Sequence, residues 1–148
     1  MRHFFLAALF GAALAGCATP PSPYGNFIPG AAEAQHRKIA ADTVTQLLAV
    51  YPPASTRFDL QHVTPDVFGG ALVEALRTRG YALHEFQPAP AALVTTSAPG
   101  LPLRYVLDQT ADARLVRVTL LVGHQSLTRA YLAQNGSMMP AGAWVRKE

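Results

Sequence analysis

Apolar positions recur at two spacings along this chain, and the switches between them divide it into elements. From Ala31 to Val50 the spacing is helical. Ile39, Thr43, Val44, Leu47, Leu48 and Tyr51 share one stripe, with Glu33, Arg37 and Lys38 off it. Pro52-Pro53 ends this helix, because a residue before proline avoids helical angles. From Thr56 to Val63 the period falls to two. Phe58 and Leu60 lie on one face and Arg57, Asp59 and Gln61 on the other, which predicts a strand with one wet face. Thr64-Pro65-Asp66 then reads as a helix start. Thr64 offers a capping hydroxyl, Pro65 suits the first turn, and Asp66 meets the positive end of the dipole. This second helix runs to about Arg79 and stops at Gly80, with Val67, Phe68, Ala71, Leu72, Ala75 and Leu76 as its apolar stripe. Gly69-Gly70 inside it costs about 1 kcal/mol per glycine relative to alanine. The expected compensation is close approach of the helix to a sheet.

Tyr81 to Phe86 predicts a second strand, and Gln87 to Pro102, with Pro88, Pro90, Pro99 and Pro102, a loop. Beyond it the period stays at two. Leu103–Asp108 alternates. Leu115–Val122 sets Val116, Val118, Leu120 and Val122 against Arg117 and Thr119. Ser126–Ala133 sets Leu127 and Tyr131 against Thr128 and Ala130. Thr110-Ala111-Asp112 and Gly123-His124 are turn candidates, and Asn135-Gly136 signals a type I′ turn. Ala143-Trp144-Val145 is the candidate final strand. The order is helix, strand, helix, strand, then an antiparallel meander. It predicts an α+β, two-layer small domain with two helices on a mostly antiparallel sheet. Phe58, Phe68, Tyr81 and Phe86 are expected in its core.

The N-terminus follows neither period. Met1-Arg2-His3 precedes an apolar run from Phe4 to Leu14, the layout of a secretory signal peptide. The run falls short of the roughly 20 residues that span a bilayer. It ends at Leu14-Ala15-Gly16-Cys17, which resembles a bacterial lipobox. In such signals the cysteine thiol takes a diacylglycerol thioether, cleavage follows Gly16, and the new amine of Cys17 is acylated. Each buried CH₂ contributes about 0.8 kcal/mol, and one chain alone binds only marginally, whereas three anchor stably. Ala18, rather than Asp, follows the cysteine, and by resemblance to Gram-negative lipoproteins this favours the outer membrane. Cys17 is the only cysteine, so no intrachain disulfide supports the fold.

Pro20, Pro21, Pro23, Gly25, Pro29 and Gly30 then read as an extended tether. The expected division is signal peptide 1–16, lipidated cysteine and tether 17–30, and globular domain 31–148. Within the tether sits Tyr24-Gly25-Asn26-Phe27-Ile28. Tyr24, Phe27 and Ile28 are candidates for docking on a partner protein. Packing back on their own domain is the equal alternative.

Charge narrows the function. The chain carries 12 basic and 9 acidic side chains. Removing 1–16 takes Arg2 away and leaves 11 against 9, a net charge of about +2. Its arginines are scattered, without the basic run and interleaved aromatics of a nucleic-acid surface. His36, His62, His84 and His124 fall on separate elements without metal-ligand spacing, and no further cysteine is available, so neither metal nor cofactor is expected. They read as unrelated surface or edge histidines. No G-x-S-x-G elbow is present, and His124 with Ser126 is a weak hydrolase pair. An enzyme is not expected.

The lipobox, "YPPASTRFDLQHVTPDVFGGALVEALRTRGYALHEF", "LPLRYVLDQ", "RVTLLVGHQSLTRAYLAQNG" and "PAGAWVRKE" together resemble the TrbH family, lipoproteins of P-type conjugative transfer systems. The resemblance covers nearly the whole chain from Cys17 to Glu148. It implies a non-enzymatic structural component of a type IV secretion (mating-pair formation) channel, in the outer-membrane core complex with TrbG-like and TrbI-like subunits. Small lipoproteins of related systems meet their partner through the stretch after the acylated cysteine. Some bear a globular domain resembling the small α/β domains of secretins. A solitary periplasmic lipoprotein binding peptidoglycan or lipid is the alternative, and it requires a concave, partly apolar pocket.

Overall fold

A computed structural model describes residues 22–28, 30–88, 98–112 and 114–148. The signal segment 1–16, the Gly16–Cys17 cleavage and lipidation site and most of the Gln87–Pro102 loop lie outside the described residues.

Two helices pack on one face of an eight-stranded sheet among the described residues, an α+β architecture. Helix α1 is Glu33–Val50 and α2 is Val67–Thr78. The strands are β1 Gly25–Asn26, β2 Arg57–Leu60, β3 Ala82–His84, β4 Leu101–Gln109, β5 Leu115–Val122, β6 Gln125–Gln134, β7 Ser137–Pro140 and β8 Val145–Lys147. Their main order is β3-β2-β4-β5-β6-β7, with β1 paired to β4 and β8 to β6. From β4 onward the neighbours in the meander pair antiparallel. Strands β2 and β3 are parallel neighbours, because the connection between them is the crossover helix α2. Strands β1 and β2 also run parallel to β4, each along a different part of the same edge.

The alternating runs meet the helices as their period requires. Phe58 and Leu60 of β2, Leu103, Tyr105 and Leu107 of β4, Val116, Val118, Leu120 and Val122 of β5, and Leu127 and Tyr131 of β6 all point into the core. They pack against Ile39, Ala40, Val44 and Leu47 of α1 and Phe68, Leu72, Val73 and Leu76 of α2. Burial of each such large aliphatic or aromatic side chain contributes about 1.5–3 kcal/mol. Helix α1 stops where the prolines require, with the Tyr51 N–H bonded to Leu47 O at 2.7 Å. Asn135 and Gly136 have φ of 50° and 73°, as a type I′ turn requires, and they join β6 to β7.

Several expectations need correction. Asp66, not Thr64, caps α2, because its carboxylate reaches the Gly69 N–H at 2.9 Å; Pro65 therefore precedes the helix. Val67 and Phe86 are exposed, not core. The final strand begins at Val145, two residues later than Ala143. Strands β1 and β7 carry no alternation that announces them. Gly69 does permit the close approach its cost implied. A Cβ there would overlap the Tyr105 hydroxyl and lie 2.8 Å from Thr64 Cβ. Gly70 has open space instead.

Candidate functional site

The segment Tyr24–Ile28, expected in the tether, is fastened along the edge of β4. Gly25 and Asn26 pair with Val106 and Leu107, and the Phe27 N–H donates to Leu107 O at 2.8 Å. Ile28 is buried in the core cluster. The Asn26 side chain turns the chain locally, its Oδ1 accepting the Ile28 N–H at 3.0 Å. Tyr24 stacks on His62, with ring centroids 5.8 Å apart and planes at 24°, and the Arg104 guanidinium lies 5.2 Å from its ring centre. Phe27 alone of the three docking candidates stands clear, 51% exposed.

A cluster of polar groups lies under this strap. Strand β2 ends at Leu60, and β1 begins its pairing at Val106, so the Tyr105 N–H falls in the gap between them. His62 Nε2 fills that gap and accepts this N–H at 3.3 Å, while His62 Nδ1–H donates to Val63 O at 2.9 Å. The two partners fix the neutral tautomer with its proton on Nδ1. The His62 and Tyr105 rings meet edge to face at 4.6 Å, and Phe68 packs edge to face on Tyr105 at 5.1 Å. The Tyr105 hydroxyl donates to Asp66 Oδ2 at 2.5 Å. Burial, followed by the bond and charge of Asp66, pushes this phenol far above its ordinary pKa and keeps it protonated.

His36 approaches the strap from α1. Its Nε2 accepts from Asn26 Nδ2 at 3.1 Å, and its buried Nδ1 has no hydrogen-bond partner among the described residues. Burial lowers the pKa of both histidines, outweighing the attraction of the Asp66 carboxylate for a proton. Both are almost fully buried. The reading of His36 and His62 as unrelated surface or edge residues is thereby corrected. No spacing in the sequence announces them, since the fold brings them to one strap from different elements. The polar Asn26 inside an aromatic-apolar pentapeptide was the one local hint.

The other chemistry-bearing candidates stay apart. His84 lies on β3 at the sheet edge, and His124 is exposed in the β5–β6 turn. Ser126 pairs with Leu121 across the sheet. No group of metal-ligating side chains occurs among the described residues. Between α1 and α2 runs an open groove of about 250 Å³, floored by Ala41, Val44, Ala71 and Ala75, with Arg37 and Glu74 on its rim. Among the described residues, no helix is long and apolar enough to cross a membrane.

A family model described as conjugal transfer protein TrbH matches residues 21–148. No curated protein and no solved structure matches the chain.

Proposed function

The chain belongs to the TrbH family of conjugal transfer proteins, and from that membership we propose that it is an outer-membrane lipoprotein serving as a structural component of a conjugative type IV secretion channel. The observation that carries this reading is the family match, which takes in the whole described domain and the strap. The Leu14–Cys17 sequence supports the lipid anchor at Cys17. Ala18 supports outer-membrane sorting, with the domain facing the periplasm. TrbG-like and TrbI-like core subunits are the proposed partners, and the role is scaffolding rather than catalysis.

The fold sharpens this proposal by shortening the tether. Tyr24 rests on the domain, so only the residues between Cys17 and Tyr24 are left as spacer. At roughly 3.3–3.6 Å per extended residue, that stretch spans at most about 25 Å. An acylated Cys17 therefore holds the β1 edge of the domain close to the membrane surface. Phe27, exposed on this strap, is the candidate best placed to meet a partner. The competing reading, a solitary ligand-binding lipoprotein, is weaker because the hollows of the described domain, the interhelical groove of about 250 Å³ and one of about 440 Å³ beside Arg57 and Gly100, lie open to solvent, whereas small-molecule sites enclose most of their ligand.

The test has two arms. The Cys17→Ala variant is expected to lose membrane association, and its retention in the outer membrane overturns the anchor. Affinity capture of the detergent-solubilised protein is expected to recover TrbG-like or TrbI-like subunits. Recovering neither, with normal channel assembly in the protein's absence, overturns the structural role.

A further inference from the structure

Two histidines that serve as hydrogen-bond acceptors meet the strap, His36 by accepting from its Asn26 and His62 by accepting from β4 while its ring stacks on Tyr24. His62 Nε2 faces a backbone N–H and His36 Nε2 faces an amide NH₂. A proton on either nitrogen sets donor against donor. Neither contact relieves itself locally. The Tyr105 N–H belongs to a central strand and cannot turn away. Asn26 cannot present its oxygen to a protonated His36 by rotating its amide, because that oxygen already accepts the Ile28 N–H, and rotation would set two donors together there as well. At His36 the remaining relief is movement of the strap, to which Asn26 belongs; at His62, whose opposed donor lies on β4, it is withdrawal of the ring together with the Tyr24 stacked on it.

We propose that Tyr24–Ile28 is a pH-sensitive latch, closed on the domain while His36 and His62 are neutral and released when they take up protons. It rests on the fold alone and does not require the channel role. If that role also holds, acid would lengthen the reach between anchor and domain.

The groups facing each ring set the direction. His62 is faced by Tyr24 of the strap, Tyr105 and Arg104 of β4, the Val63 carbonyl, and Asp66 at the start of α2. Burial and Arg104 disfavour a proton there, while the Val63 carbonyl and Asp66 favour one, and burial is the largest influence. His36 is faced by Asn26 of β1 and, at longer range, by Asp66, and burial again prevails. Both closed-state pKa values therefore lie below the ordinary histidine value of 6.5, and uncovering the rings by opening the strap raises them toward it. The open form binds more protons, so latch stability is fully present above 6.5 and declines as pH falls below it.

Amide hydrogen exchange of the full chain tests this, with each rate corrected for its intrinsic pH dependence. Between about pH 7.5 and about pH 5, protection of Phe27 and Ile28 is expected to fall about tenfold or more. Val118 and Leu120 in β5 are expected to keep theirs. In His36→Gln/His62→Gln the Oε1 atoms accept in place of Nε2 without titrating, and the strap's pH dependence is expected to flatten. Unchanged strap protection in the natural chain, loss of β5 protection in step with it, or undiminished pH dependence in the glutamine variant each overturns the latch. Should that variant not fold, ring titrations of the natural protein by NMR decide. Midpoints below 6.5 that coincide with shifts of the Phe27 and Ile28 amides support the latch, and midpoints at or above 6.5 overturn it.

Discussion

The Tyr105 hydroxyl and the Asp66 carboxylate meet at 2.5 Å, which ties the centre of the sheet to the first turn of α2. The same carboxylate accepts the Gly69 N–H at 2.9 Å, so one side chain caps the helix and satisfies a buried phenol. Its removal therefore damages two contacts. Asp66→Ala is expected to destabilise the protein by about 2–4 kcal/mol, from a lost cap and an orphaned buried hydroxyl. Tyr105→Phe leaves the cap intact and is expected to cost about 1 kcal/mol. Urea denaturation of both variants checks the order. Equal losses would mean that the carboxylate serves only one of the two groups.

The neighbouring glycines are expected to respond with opposite signs. At Gly69 an added Cβ runs into the Tyr105 hydroxyl and Thr64, so Gly69→Ala must displace the helix from the sheet. A loss of about 1–3 kcal/mol follows. At Gly70 nothing lies within 4 Å of the added atom, and the helix should gain up to about 1 kcal/mol in Gly70→Ala. Thermal melts of the two single variants decide. Stabilisation by Gly69→Ala would refute the close approach.

This pair also shows what the sequence could disclose. Gly-Gly inside a helical stripe announced a close approach, but only the sheet's register identifies Gly69 as the residue that needs it. Alternation at Leu103–Leu107 and Val116–Val122 was legible because one face of each strand is buried and the other is not. Strand β1 was not. Its two residues, glycine and asparagine, have poor strand preference, and their place depends on the edge of β4, about eighty positions away. Strand β7 includes Pro140 and hides its pattern in the same way. The histidine pair was invisible for a related reason. His36 rides on α1 and His62 follows β2, so only the folded chain places the two against one strap.

A second polar knot ties α1 to β6. Arg129 Nη1 donates to both Asp42 oxygens at 3.2 and 2.9 Å, its Nε donates to Gly142 O at 2.8 Å, and the Tyr131 hydroxyl donates to Asp42 Oδ2 at 2.5 Å. These bonds join α1, β6 and the segment leading to β8. Both charged side chains are partly shielded, so truncating one leaves the other poorly solvated. Asp42→Ala is expected to cost about 2–3 kcal/mol. Asp42→Asn, which keeps an acceptor for Tyr131, is expected to cost less. Urea midpoints of the pair provide the measurement, and a loss from Asn as large as from Ala would remove the acceptor argument.

The strap residues divide by exposure, and serine substitutions should separate their roles. Ile28→Ser removes a core side chain and is expected to cost about 2–4 kcal/mol. Tyr24→Ser removes a ring stacked on His62 and beneath Arg104, with an expected loss of about 1 kcal/mol. Phe27 is half exposed, and Phe27→Ser should leave the melting temperature nearly unchanged. If the strap also docks on a channel subunit, this stability-neutral variant is the one that loses capture of the partner. Melting curves and affinity capture are to be read together on the same three proteins. A Phe27→Ser protein that melts normally and still captures its partner at natural levels excludes Phe27 as a contact. A partner lost only in Tyr24→Ser or Ile28→Ser, in proportion to their destabilisation, would mean that the strap serves the domain's own fold.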